Sequence, residues 1–467
     1  MNIKHIVILI AALGAAGPIQ AESLLEVYQQ ALQSDPRIHE AEARRLAALE
    51  AEPQARGVYL PQLGFDGSWT KSDSEGKSIF EDSSGLPVSI NTATESEFLQ
   101  WQFQLRQTIF RWDQIVGLRR ADKIVAKAEA DREAAQQDLV IRVGQSYFNV
   151  LAAEDRLTST HANRMAISRQ LEQAKQRFEV GLIAITDVQE SQAAYDQATA
   201  DEIGAKRILA TAREGLREIT GQYVGELSAP GEDLPLRTPD PVAEADWVNM
   251  ALDQNLALVA SRLDEQLARD EISFRRNGYY PSVDLVASHG ENDNNADRVV
   301  GGISAIADSD FSRDSIGVQF SIPLFAGGTN KSRVQEAVYL HRAASQQLQR
   351  VTRETERQTR DAYLGVQSEK SRVEALNQAV KSSTTALEAT QAGFEVGTRT
   401  IVDVLNSQFA LYRAITLFYQ ARYDYLMNYL RLKQAAGTLQ IQDLEAIDRW
   451  LVNRPTPEQK IAAETES

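Results

Sequence analysis

The 467-residue sequence predicts a mainly α-helical fold carrying a transmembrane β-barrel component, all of it built on an internal two-fold repeat. Three observations predict this. Residues recur at one constant offset: Phe178 and Phe394 lie 216 positions apart (394 − 178), and the same offset relates Tyr147 to Tyr363, Arg156 to Arg372, Asp187 to Asp403, Gln192 to Gln408 and Gly221 to Gly437. One register held without a gap marks a duplicated segment. Two long stretches, 112–178 and 329–394, contain no proline; at 1.5 Å per residue each makes a helix of roughly 100 Å. Finally, four short stretches alternate apolar and polar residues with period two, the pattern of strands with one apolar face.

Taken in order, Met1 to Ala21 holds Lys4, an apolar run from Ile6 to Leu13 and then small residues. That is the pattern of a secretory signal, too short to span a bilayer as a helix. Nothing later in the chain has the run of about eighteen apolar residues that a transmembrane helix needs. Glu22 to Val58 reads as helix, with Asp35-Pro36 interrupting or restarting it, and Gly57 with Tyr59-Leu60-Pro61 ends it. Trp247 to Asn277 repeats the arrangement before Gly278 and Tyr279-Tyr280-Pro281, so the duplication reaches the whole chain. The resulting division is a signal peptide (1–21), a first repeat (22–241), a second repeat (242–453) and a tail (454–467) whose proline and glutamate suit disorder.

A strand is expected after each proline. Leu63, Phe65, Gly67 and Trp69 alternate with polar or small residues, and Leu99, Trp101, Phe103 and Leu105 do so after a polar stretch read as a loop, 71–95. In the second repeat Val283, Leu285 and Ala287 alternate, a loop is expected at 289–314, and Ile316, Val318, Phe320 and Ile322 follow. Alternation alone fits two hairpins of a soluble sheet equally well. Four strands cannot close a barrel, for which about eight is the practical minimum. No other β segment is available, so the strands either rest on the helices or join strands of other copies; the signal peptide and apolar strand faces favour the second option.

In the first long helix Leu139, Val140, Val143, Tyr147, Val150 and Leu151 form one apolar stripe, and a stripe so narrow on so long a helix implies coiled-coil packing with neighbours. Return helices are expected over 186–220 and 402–436. The turns between are the most specific segments: Arg177-Phe178-Glu179-Val180-Gly181 leading to Asp187, and Gly393-Phe394-Glu395-Val396-Gly397 leading to Asp403. Glycine takes the left-handed conformation at a helix C-terminus without a Cβ penalty, and aspartate in the next first turn meets the positive end of the helix dipole. Each segment is therefore the tip of a helical hairpin.

Composition excludes several functions. With no cysteine there is no disulfide, thiolate nucleophile or thiolate metal site. A net charge of −16, or −17 once Lys4 leaves with the signal, disfavours general nucleic-acid binding. No phosphate loop, metal-ligand spacing or paired carboxylates point to catalysis or to a cofactor; none is expected.

Several phrases together carry a resemblance: Leu60-Pro61-Gln62-Leu63-Gly64, Tyr147-Phe148-Asn149-Val150-Leu151, Ala184-Ile185-Thr186-Asp187-Val188-Gln189, and the long run Val396-Gly397-Thr398-Arg399-Thr400-Ile401-Val402-Asp403-Val404-Leu405. The chain resembles the TolC family of outer-membrane channel-tunnel proteins over about Glu22 to Asp448. That resemblance implies a homotrimer in the cell outer membrane. Each protomer would give four strands to a twelve-stranded barrel and its helices to a periplasmic α-helical barrel, with 225–241 and 440–451 in a band about its middle. The implied function is a passive exit duct for efflux and type I secretion, working with a periplasmic adaptor and an inner-membrane transporter; a periplasmic helical adaptor without a membrane barrel is the alternative, and a secreted enzyme a remote one. The resemblance places Gln170, Thr186, Asp187, Phe394 and Arg399 in a network that ties the tips closed, Asp403 and Asn406 on the narrowest ring, and Gly181 and Gly397 at adaptor-docking tips. Three residues depart from the family pattern: Phe394 replaces a tyrosine, Gln391 a glutamate and Asn406 an aspartate. They imply a less tightly tied tip and three ring carboxylates instead of six.

Overall fold

The computed structural model describes residues 21–231 and 233–454. The expected signal peptide, apart from Ala21, and the expected disordered tail, apart from Arg454, lie outside the described residues. The elements run α1 (Leu24–Ser34), α2 (Pro36–Leu49), α3 (Ala51–Gly57), β1 (Gln62–Glu81), β2 (Pro87–Phe110), α4 (Trp112–Glu179), α5 (Ile185–Thr220), β3 (Ala229–Pro230), α6 (Glu244–Gln254), α7 (Leu256–Arg275), a 3-10 turn (Arg276–Tyr279), β4 (Ser282–Val300), β5 (Ile303–Ser321), α8 (Thr329–Glu395), α9 (Ile401–Ala435), α10 (Ile441–Asp448) and β6 (Leu451–Val452).

These elements form two compact units that cut across the sequence repeat. One comprises residues up to Ala43, Ala130–Val259 and from Arg350 on; the other comprises Arg44–Glu129 and Ala260–Gln349. Each unit takes equivalent pieces of both copies, because strands pair with strands and helical hairpins pack on hairpins.

The second unit is organised on one four-stranded antiparallel sheet in the order β1-β2-β4-β5. The stretches expected as loops, 71–95 and 289–314, are mostly strand. β1 and β2 stay paired from Gln62↔Arg106 to Glu81↔Pro87, and β4 and β5 from Ser282↔Ser321 to Val300↔Ile303. A ladder is made of backbone hydrogen bonds and needs no apolar side chain. Here it continues with polar cross-strand partners such as Ser72 with Ser96 at 2.8 Å, Lys71 with Glu95 at 2.6 Å and Ser288 with Ser315 at 2.7 Å. Only 82–86 and Gly301-Gly302 turn the chain, the former around an Asp82 carboxylate that accepts from the Ser84 and Leu86 N–H groups at 2.8 and 3.1 Å.

The register puts the apolar residues on one face. Leu63 faces Leu105, Phe65 faces Phe103 and Trp69 faces Leu99; Val283, Leu285 and Ala287 face Phe320, Val318 and Ile316. On that same face the band gives way to Lys71 opposite Glu97 and to His289 opposite Asp314, whose side chains meet at 2.6 Å. The band is bare in the single chain: Leu63 is 70% exposed, Trp69 63% and Ile316 79%. β1 and β5 each have one neighbour, so both edges of the sheet are open. On the opposite face, Arg106 and Thr108 both donate to the buried Asp284 carboxylate, at 2.6 and 3.1 Å. The helices of this unit are laced by ion pairs, among them Lys123–Asp270 at 2.6 Å and Lys127–Asp264 at 2.7 Å.

The first unit holds the main core. All six residues of the α4 stripe are buried, packed in one cluster with Leu24, Val27 and Tyr28 of α1 and with Tyr423, Leu426 and Leu430 of α9. The repeat partners Tyr147 and Tyr363 do one job twice: the Tyr147 hydroxyl donates to the Ser228 carbonyl at 2.6 Å and the Tyr363 hydroxyl to the Val242 carbonyl. β3 pairs with β6, Ala229↔Val452 and Pro230↔Leu451, so 225–241 and 440–451 meet each other. Arg454, placed by sequence at the head of the disordered tail, donates to the buried Asp155 carboxylate at 2.6 Å.

Asp35 ends α1 and starts α2 as expected, accepting from the Arg37 N–H at 2.8 Å and from Arg142 at 2.6 Å. The helix expected over Trp247–Asn277 is instead broken at Asn255, whose side-chain oxygen accepts from the Leu258 N–H at 3.1 Å and so begins a new helix. Between α4 and α5, burial works against the charge on Glu202. Lys206, Arg164 and His161 overcome it and hold that carboxyl down at about 2, so the hairpin keeps this tie across the whole ordinary pH range.

Candidate functional site: the paired hairpin tips

Both tips close as their sequences require. At the first, α4 ends and Gly181 adopts φ +75°; its N–H donates to the Phe178 carbonyl at 2.9 Å, and the Leu182 N–H to the Arg177 carbonyl at 2.9 Å. At the second, Gly397 adopts φ +77°, its N–H donates to the Phe394 carbonyl at 3.1 Å, and the Thr398 N–H to the Gly393 carbonyl at 2.8 Å. These bonds satisfy the last helical carbonyls through a left-handed residue, a position that suits glycine.

The tips differ at the next helix start. Thr400 caps α9 through a reciprocal box: the Asp403 N–H donates to the Thr400 hydroxyl oxygen at 3.2 Å, and the Asp403 carboxylate accepts from the Thr400 N–H at 3.0 Å. The repeat partner of Thr400 is Ala184, which gives α5 no side-chain cap. The Thr400 N–H, then its hydroxyl, hold the Asp403 carboxyl below the ordinary aspartate range, with a smaller contribution from the Arg399 charge.

A cleft of about 550 Å³ lies between the two tips and brings Asp187, Phe394, Gly397 and Arg399 together. Gln170, Thr186, Gly181, Asp403 and Asn406 lie outside it. Asp187, Phe394 and Asp403 are half-buried; Thr186, Arg399 and Asn406 are exposed. Sequence reasoning missed Arg177, which also lines the cleft and sets its guanidinium 4.8 Å from the centre of the Phe394 ring. The repeat offered only a difference between the two tips at this position. Arg177 corresponds to Gly393, where a Cβ would come within 2.8 Å of Arg399 Cγ, so a side chain there would have to displace Arg399. The rim of the tips is apolar: Val180, Leu182 and Val396 are 71%, 73% and 75% exposed.

Among the described residues no group of His, Asp and Glu is arranged to hold a metal ion, and no helix is long and apolar enough to cross a membrane. The chemistry the tips offer is that of charge and shape: Arg177, Arg399, Asp187, Glu395 and the Phe394 ring line the cleft, with the Asp403 carboxylate one helical turn beyond Arg399.

Comparison with known proteins agrees with this architecture. The chain is 37% identical to the outer membrane protein TolC of Escherichia coli (strain K12) over 459 residues, 95% of this chain and 90% of that one. It is 27% identical to the alkaline protease secretion protein AprF of Pseudomonas aeruginosa, over 94% of this chain and 89% of that one. The crystal structure of the outer membrane protein VceC from Vibrio cholerae superposes with a TM-score of 0.70 at 21% identity, covering 89% of this chain and 96% of that one. The family described as outer membrane efflux protein matches residues 27–222 and 247–438. With both repeats matched, the chain belongs to the outer membrane efflux protein family.

Proposed function

We propose that three copies of the chain assemble into one outer-membrane exit duct, which carries small molecules or proteins outward from an inner-membrane transporter and a periplasmic adaptor and is gated at the hairpin tips. The single observation that carries this is the open four-stranded sheet, with a bare apolar face and two unpaired edges. In lipid every backbone polar group must find a partner, so a spanning sheet has to close on itself. Three copies supply twelve strands, above the minimum for closure. The family is one of transport channels, and the relatives named for TolC and for protease secretion support efflux and secretion alike.

The experiment is mass measurement in mild detergent with circular dichroism. A trimer that loses its β-signal on dissociation is expected; a well-folded monomer with the full β-signal would count decisively against the assembly.

Adaptor docking follows from the same reading. The apolar rim at Val180, Leu182 and Val396 is the surface for the tips of an adaptor's helical hairpins. Replacing Gly181 or Gly397 by Val forces a β-branched side chain into positive φ. Export in cells is expected to fall at least about tenfold, since an offset of about 1–3 kcal/mol at such a residue displaces the tip, while the trimer still assembles. Full export by both variants would remove docking from these glycines.

A further inference from the structure

Phe394 cannot make the phenolic hydrogen bond that a tyrosine would offer Asp187 across the cleft, yet it is not an idle position. It is half-buried, and the face of its ring is covered by the guanidinium of Arg177 at 4.8 Å. The two residues come from different hairpins, the end of α4 and the end of α8. A cation over an aromatic face is attracted by the ring quadrupole, and more so where water is partly excluded.

The repeat explains why the cation comes from the first tip. At the second tip Arg399 lies back over Gly393, so close that any Cβ there would meet it at 2.8 Å. That position's partner in the first tip is Arg177, free to reach across. Each tip thus contributes one arginine to the cleft, by different routes.

We propose that Arg177 is a positioning residue of the gate, whose stacking on Phe394 ties the two hairpins of each protomer together at the tip. The inference rests on the gated-duct reading and adds to it a tie within the protomer, made by an arginine and a ring instead of a phenol and a carboxylate. An exposed or partly covered contact of this kind corresponds to about a two- to fivefold change in the closed-to-open ratio per tip. Three tips moving together multiply it to about ten- to a hundredfold.

The test is planar-bilayer conductance of the full-length trimer, with Arg177→Gln, Phe394→Leu, the double variant, Arg177→Lys, and Arg399→Ser as reference. Expected are higher conductance in both single variants, no further rise in the double variant, partial retention of closure in Arg177→Lys, and an unchanged temperature of trimer dissociation. Additive effects of Arg177→Gln and Phe394→Leu would overturn the tie, since each would then act alone. If Arg399→Ser opens the channel and Arg177→Gln does not, the gate stands and the tie is wrong. If neither variant changes conductance, the tips do not gate and the tie falls with that reading.

Discussion

Arg399→Ser is expected to raise the single-channel conductance of the proposed trimer and to make the channel leaky to solutes that the parent excludes. Arg399 is exposed in the single chain, and within one protomer it shares the cleft with Asp187 without an ion pair between them among the described residues. Its donors are thus available to Thr186 and Asp187 of a neighbouring protomer, the tie that the family resemblance implies. Even at about 1 kcal/mol for an exposed pair, three such ties acting together shift a two-state closure by about two orders of magnitude. With Phe394 lacking a hydroxyl, the sequence by itself suggests that this one change opens the tip. The Arg177 contact on the Phe394 ring modifies that expectation: the single change opens the tip in part, and Arg399→Ser with Arg177→Gln completes it. Conductance unchanged in the single and in the double variant would remove these tips as the gate. Serine is the suitable replacement because it is small and polar, removes the guanidinium and leaves the space over Gly393 open, so the turn itself is not disturbed.

The difference between what could and could not be read from sequence has a physical basis at each residue. The hairpin ends were legible because their chemistry is local. Gly397 suits the end of one helix and Asp403 the first turn of the next, each by its own chemistry. The α4 stripe was legible because burial on one face of a helix repeats with the helix period. Strand length was not. In 71–81 and 87–97 polar residues occupy both faces, and a backbone ladder between polar faces leaves no periodic trace. The break at Asn255 was written as a helix-capping residue inside an otherwise continuous helical pattern, and a single such residue can also sit within a helix facing solvent. Arg177 on Phe394 was the least legible. The repeat relates Arg177 to Gly393 but says nothing of what lies across from either, because helix periodicity fixes the face a residue occupies and not the residue that opposes it on another helix.

Asp403 carries the second large effect. If three copies surround a narrow axis, Asp403 presents three carboxylates there, and a ring of carboxylates draws in cations and holds multivalent ones most strongly. A di- or trivalent cation added from the periplasmic side is therefore expected to block ion flow through the parent channel. In the single chain the Thr400 N–H and hydroxyl, aided by Arg399, hold the Asp403 carboxyl below the ordinary range. A depressed carboxyl is fully charged above its unfolded value and is neutralised only as pH falls through its lowered folded value. The block is accordingly strong at neutral pH, persists through mild acid and is relieved on further acidification. Repulsion among three carboxylates opposes the Thr400 bonds and spreads the relief over several pH units as a coupled titration. Asp403→Asn is expected to abolish both the block and its pH dependence. Asparagine retains a side-chain oxygen to accept from Thr400, so the cap on α9 survives while the charge is lost, and the variant isolates electrostatics from folding. Asn406 lies three residues on, on the same helix face, so Asn406→Asp adds a second acidic ring and is expected to lower the blocking concentration about tenfold or more, as an added 1.4 kcal/mol of cation binding would. The measurement is bilayer conductance against a titrated blocker at several pH values for the three proteins. Equal block of Asp403→Asn and the parent would place Asp403 away from the constriction, and a block that strengthened on acidification would show that the blocking cation is not held by carboxylates at all.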